Sequence, residues 1–187
     1  MFPLDSEHTL RLLRPDDGPA LARAYAENRE HLAPWEPRRP PAFFSAVTQE
    51  ADVRRSMDET AAGRAARFVV DDRSGAIVGR FNLNGIVRGA FLNADLGYWV
   101  AARLQGRGLA TRAVAHVLRH AREELGLHRV QAGTLPHNRA SQRVLGANGF
   151  TRIGVAPRYL EIAGEWQDHV LFQRLLEQPI SVPPAHP

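Results

Sequence analysis

The sequence predicts a mixed α/β (α+β) domain in which a single layer of sheet is flanked by about four helices. Three observations carry that expectation. Residues 93–100 alternate with the period of a strand, which puts Ala94, Leu96, Tyr98 and Val100 on one face. Ala110, Ala113, Val114, Val117, Leu118 and Ala121 recur at i, i+3, i+4, i+7 spacing, the stripe of an amphipathic helix. Two β-branched runs, 67–71 and 76–83, flank Asp72-Arg73-Ser74-Gly75 and read as a hairpin.

In chain order, His8 to Leu13 reads as a first strand, and Pro15-Asp16-Asp17 starts a helix carrying Ala20, Leu21, Ala24 and Tyr25 to about Asn28. Pro34-Trp35-Glu36-Pro37 and Pro40-Pro41 make a stiff loop, after which Ser45 or Thr48 caps a helix to about Ala62. The hairpin and the 93–100 strand follow. The amphipathic helix comes next, with Arg112, His116, Arg119 and Glu123 on its opposite side and Gly126 as its stop. His128 to Thr134 is a short strand, Asn138 to Asn148 a short helix ending at Gly149, and 150–154, 159–162 and 167–175 read as closing strands. No repeat or linker divides the chain, so residues 1–177 are expected to form one domain. The tail, 178–187, carries four prolines and is expected to fray.

Composition narrows the chemistry. With 187 residues and 44% hydrophobic content, the chain is sized for one core. It shows no membrane-length apolar run and no signal segment, which predicts a cytoplasmic protein without a membrane partner. Cysteine is absent, which removes disulfides, thiolate metal sites and cysteine nucleophiles. All 24 basic residues are arginine, so neither a lysine Schiff base nor a P-loop lysine is available. The net charge of +4 is spread along the chain and does not point to nucleic acid.

One loop carries a chemical signal. Gln105-Gly106-Arg107-Gly108-Leu109-Ala110 lies between the 93–100 strand and the amphipathic helix, where unhindered backbone amides can face a pyrophosphate. The alternative is a tight turn that lets helix and strand approach. A dinucleotide fingerprint fails, because its sixth position is Thr111, no acidic residue closes 128–134, and the loop lies past mid-chain.

Gln105-x-x-Gly108-x-Ala110 resembles the acyl-CoA loop of the GNAT acetyltransferase superfamily, and Asn138-Arg139-Ala140-Ser141 and Gly149-Phe150 resemble its next segments. Tyr25-Ala26-Glu27-Asn28-Arg29, Pro34-Trp35-Glu36-Pro37, Val87-Arg88-Gly89, Leu96-Gly97-Tyr98, Pro136-His137-Asn138 and the run Gly164 to Leu171 resemble RimJ/RimL-type ribosomal-protein N-terminal acetyltransferases, more the RimJ branch. The likeness covers nearly the whole chain. It implies a GNAT fold, with a mostly antiparallel mixed sheet splayed at its middle strands. It also implies acetyl-CoA as co-substrate, no metal, and transfer to the α-amine of a protein or peptide N-terminus, as on a ribosomal protein, by direct attack on the thioester. It admits ribosome association and a homodimer. A small-molecule amine acceptor, or a non-catalytic acyl-CoA-binding module, is the alternative.

Carried over residue by residue, the resemblance gives Leu96, Gly97, Tyr98, Trp99 and Val100 the pantetheine arm, with a backbone amide polarising the thioester carbonyl. Gln105, Gly106, Arg107, Gly108, Leu109, Ala110 and Thr111 take the pyrophosphate. Asn138 bonds the cofactor or fixes the adjacent strand; equally, it caps the helix from Arg139. The family's usual tyrosine acid falls at Leu145. Ser141 matches a serine that some RimL-type enzymes use, and takes the acid role against the reading of an ordinary helix-surface serine. A glutamate that some RimL-type proteins carry falls at Leu160.

Other residues are weighed on chemistry. A tryptophan between prolines is either a core plug or a pocket wall, and the family match favours the wall, so Trp35 and Glu36 are assigned to the acceptor. Trp99 and Trp166 read as core aromatics. For proton removal the choice lies among Glu36, Asp168 and His169: Glu36 is expected to orient the amine and Asp168, with or without water, to take the proton. A solvated loop carboxylate and an arginine partner are the bland readings of these two. His116 and His120 have the i, i+4 spacing of a metal pair but no glutamate between them, and read as a solvated face. Ser141, His137 and Asp168 lack the nucleophile elbow of a hydrolase.

Overall fold

Period-two alternation sorts the strand residues onto two faces, and each face recruits its own helices. In a computed structural model describing residues 1–177, eight strands form one sheet. They are β1 (Phe2–Pro3), β2 (His8–Leu12), β3 (Ala66–Asp72), β4 (Ile77–Val87), β5 (Asn93–Val100), β6 (Arg129–Thr134), β7 (Thr151–Ile162) and β8 (Glu165–Leu175). Their order is β1-β2-β3-β4-β5-β6-β8-β7, and the only parallel neighbours are β5 and β6. Five helices flank the sheet: α1 (Gly18–Glu27), α2 (Arg29–Leu32), α3 (Ala46–Ala61), α4 (Leu109–Glu123) and α5 (Arg139–Ala147). The proline-rich tail lies outside the described residues.

The larger core lies between α4 and one face of the sheet. Ala113, Val114, Val117, Leu118 and Ala121 are fully buried against Phe68, Val70, Phe81, Leu83 and Leu96. Burying each Val or Leu there contributes about 1.5–3 kcal/mol. On the other face Leu21 and Tyr25 of α1 and Val53 of α3 pack on Val69, Ile77 and Trp99. Ser45, not Thr48, caps α3: its hydroxyl accepts the Thr48 amide at 3.2 Å.

Three expectations need correction. The closing segment is two long strands rather than three. Pro157 cannot donate to a ladder and Arg158 takes a φ of 48°, which interrupts the β7–β8 pairing between Ala156 and Leu160 and mimics a loop in the sequence. The second face of α4 is solvated only towards its end, at Glu123; at Arg112 and His116, β1 and the turn after it cover the helix. Asp5 pairs with buried Arg112 at 2.9 Å, and Phe2 lies 5.2 Å from the buried His116 ring. Trp166 is not a core aromatic; it is 63% exposed near the outer end of β8.

Candidate active site

The parallel pair β5 and β6 is bonded only from Asn93–Asp95 to Arg129–Gln131. Beyond Asp95 the strands diverge, so the β5 edge from Leu96 onward faces a gap, and its backbone amides and carbonyls are open to an extended guest. On its other edge β5 stays locked to β4 from Leu83–Leu96 to Gly79–Val100, which keeps it rigid. A cleft of about 670 Å3 runs through the gap and brings together Trp35, Glu36, Leu96 to Trp99, Asn138 and Ser141. The Val100 carbonyl sits at the end of β5, 3.3 Å from His31 Nε2.

The glycine loop leads from this edge into α4. Gly106 and Gly108 both adopt left-handed backbone, with φ of 74° and 70°, and no side chain caps the helix. The first-turn amides at Leu109, Ala110 and Thr111 therefore remain free at the positive end of the helix dipole, which is where a pyrophosphate fits. Leu109 offers only its backbone, since its side chain is buried in the core. Arg112 braces the loop from inside: Nη1 donates to the Arg107 carbonyl at 3.3 Å while Nη2 holds Asp5. A side chain on Gly108 would meet Arg112 Nη1 at 3.0 Å. A second brace comes from buried Asn28, whose Oδ1 accepts the Ala102 amide at 3.0 Å and whose Nδ2 donates to the Ala24 carbonyl.

Asn138 caps α5, its Oδ1 accepting the Ser141 amide at 3.0 Å, while its side chain also lines the cleft. Ser141 Oγ lies 2.8 Å from the Tyr98 hydroxyl. Burial pushes the Tyr98 phenol up to about 12, the Ser141 hydrogen bond only partly opposing it. The phenol therefore stays protonated and can donate to Ser141, leaving the serine hydrogen free for the cleft. Leu145, at the family's tyrosine position, is fully buried in the core.

Glu36 lines the cleft with its carboxylate 3.5 Å from Arg39 Nε. Burial raises its pKa, partly offset by Arg39 and Arg80. Its carbonyl accepts the Ala163 amide at 2.9 Å, which ties the proline-rich loop to the β7–β8 turn. Trp35 lines the cleft, its ring tilted 5.4 Å from that of His137, and is a pocket wall and not a core plug.

Asp168 is not brought to the cleft. Successive β8 residues face opposite ways, and Asp168 turns outward to accept the Arg158 amide at 2.9 Å, pinning the β7 irregularity. Its neighbour His169 is buried and lines the cleft, with Nδ1 donating to the Gln167 carbonyl at 3.0 Å, the tautomer that leaves Nε2 as the acceptor of a neutral ring. Sequence reasoning missed a polar wall of Asp52, Arg67, Arg80, Asn82 and Asn84. The alternation of 80, 82 and 84 along one strand was the available signal. Among the described residues no group of three or more His, Asp or Glu side chains could hold a metal ion, and no helix is long and apolar enough to cross a membrane.

A splayed β5–β6 gap beside an uncapped glycine-led helix defines an acyl-CoA-dependent acyltransferase. Residues 8–151 match the acetyltransferase (GNAT) domain model, and the chain belongs to that family. It is an acetyl-CoA-dependent N-acetyltransferase. Over 163 residues it is 36% identical to a ribosomal protein uS5-alanine N-acetyltransferase of Escherichia coli, covering 87% of this chain and 84% of the relative. Similar solved structures include a ribosomal-protein-S5-alanine acetyltransferase from Vibrio fischeri, at TM-score 0.88 and 32% identity, covering 94% of this chain and 100% of that one. Another is Mycobacterium smegmatis RimJ in complex with CoA-disulfide, at TM-score 0.85 and 33% identity over 90% of this chain and 81% of that one.

Proposed function

We propose that the acceptor is the α-amine of a protein N-terminus, of the ribosomal kind that the uS5-alanine enzymes modify, and that acetyl passes to it directly. The observation that carries this reading is the single cleft at the sheet gap, which holds the half-buried Glu36 carboxylate together with Ser141. An α-amine has a pKa of about 7.7–8.0, so roughly a tenth is neutral at pH 7 and little base strength is required.

Acetyl-CoA supplies a thioester carbon open to attack and leaves as a thiol. In this reading the β5 edge, Leu96 to Val100, holds the pantetheine arm, and residues 105–111 hold the pyrophosphate on free amides. Asn138 keeps its Nδ2 for the arm while Oδ1 caps α5. Glu36 binds the acceptor ammonium and orients it. His169 replaces Asp168 as the group that takes the amine proton, because its ring lines the cleft and Asp168 does not. Ser141, aligned by Tyr98, protonates the departing sulfur. Ribosome association and a homodimer are compatible with this reading, as is a cytoplasmic location.

The test is incubation with labelled acetyl-CoA and a panel of alanine- and serine-starting peptides beside free polyamines, aminoglycosides and amino acids. Label should enter the peptides at their α-amines. Faster acetylation of the free amines would replace this acceptor, and no transfer to any amine would leave an acyl-CoA-binding module.

A further inference from the structure

The far end of the cleft carries charge that acetyl transfer does not use. Arg67 on β3 and Arg80 on β4 stand on the sheet face opposite α4, beside Asn82 and Asn84, with Asp52, Ser56 and Glu59 of α3 across from them. The carboxylates there are already committed. Asp52 pairs with Arg80 at 3.1 Å and with Arg55 at 2.5 Å, and Glu59 pairs with Arg64 at 2.9 Å. Arg67 has no carboxylate within 4.0 Å among the described residues. It donates to Asn84 Oδ1 and, at 3.4 Å, to the Leu83 carbonyl, and its Nε is buried without a partner among the described residues. Two further cleft-lining groups, Trp99 Nε1 and Arg80 Nε, are buried donors in the same position.

The cleft is lined by four arginines, Arg39, Arg55, Arg67 and Arg80, against three carboxylates, Glu36, Asp52 and Glu59, which leaves a surplus of positive charge. A half-buried guanidinium without a counter-ion is costly, and burial together with the nearby Arg80 charge lowers the Arg67 pKa accordingly. Its fork matches a carboxylate bidentately. We propose that Arg67 is the centre of an anion subsite that receives a carboxylate carried by the acceptor. The proposal rests on Glu36 binding the acceptor's amine: the acceptor then places its ammonium at Glu36 and a carboxylate at Arg67. That carboxylate belongs either to an acidic side chain within the first few residues of a peptide or to the terminus of a free amino acid or dipeptide. A cleft of about 670 Å3 that also admits the acyl end has room for only the first residues of a chain.

The experiment compares alanine-starting peptides bearing Asp or Glu at the second, third or fourth position with their Asn or Gln counterparts, beside free amino acids and dipeptides. Turnover and calorimetric binding to the CoA-loaded protein are both read. One acidic position should raise kcat/KM and affinity about tenfold or more. In Arg67→Gln that ratio should fall towards one while acetyl-CoA still raises Tm, and Arg67→Lys should recover part of it. Preference for a free α-carboxylate would assign the anion to a small acceptor and keep the subsite. Acidic peptides that bind preferentially but are not acetylated would overturn the acetyl-transfer reading alone. Equal binding and turnover of acidic and amide peptides by the wild-type protein would overturn the subsite, whatever Arg67→Gln does.

Discussion

Arg119 donates to Nδ1 of His116 across 2.8 Å, so that nitrogen must keep its lone pair and the ring must stay neutral. Burial, reinforced by the Arg119 charge, lowers the His116 pKa from 6.5 to about 4. Between those values the unfolded chain binds the proton more readily, so stability is complete above pH 6.5 and drains away as pH falls through the folded value. We expect a loss of about 1–2 kcal/mol after screening, or roughly 3–6 °C in Tm. His116→Gln should show a shallower acid slope; identical slopes would remove His116 from the acid sensitivity. Glu36 gives the opposite kind of shift. Its raised pKa means that it becomes neutral at a higher pH than an ordinary glutamate, while the acceptor amine is increasingly held as ammonium as the solution becomes more acidic. Peptide Kd should therefore rise as pH falls and Glu36 is neutralised, and Glu36→Gln should flatten the curve and weaken binding at neutral pH. A flat wild-type curve would place the ammonium elsewhere. The sequence held Glu36 because stiff prolines isolate it, but the cover over His116 comes from residues more than a hundred positions away, which helical periodicity does not register.

Among elements, α4 and its loop were the most legible, since glycine chemistry and a 3.6-residue stripe are both local signals. The price was its far face: Arg112 looks like a solvated arginine in any helical projection, yet it is 4% exposed and holds the loop to Asp5. The β7–β8 hairpin was legible in position but not in continuity, because an irregularity at Pro157 and Arg158 reads like a turn. Two predictions follow from these elements. Gly108→Glu places a carboxylate at the free amides, against a backbone φ of 70° that favours glycine, and should abolish the rise in Tm that acetyl-CoA gives the wild type. A folded mutant stabilised as strongly as the wild type would refute the loop's assignment. Asp168→Ala should lower stability by about 1 kcal/mol through the lost Arg158 amide partner while leaving the pH dependence of kcat unchanged. A loss of kcat recovered at high pH would instead return Asp168 to the proton path.

At the scale of the molecule, the sheet is two halves joined by only three residue pairs between β5 and β6, and the function depends on what spans the open remainder. The Trp35 loop spans it. Its Glu36 carbonyl is bonded to the Ala163 amide at the β7–β8 turn, Arg38 donates to the Ala163 carbonyl at 3.4 Å, and the Trp35 ring rests on His137 before α5. These contacts close the acceptor side of the cleft without touching the glycine loop, and the two ligand sites should therefore respond separately. At 36% exposed, Trp35 contributes less to the core than a buried aromatic, so Trp35→Ala should lower Tm by only a few degrees. The same change removes a rigid wall over the ammonium site, and peptide KM should rise about tenfold while acetyl-CoA KM moves less than twofold. Equal losses for both substrates would mean that the bridge sets the width of the β5–β6 gap itself, making it part of the cofactor site and not a wall for the acceptor alone.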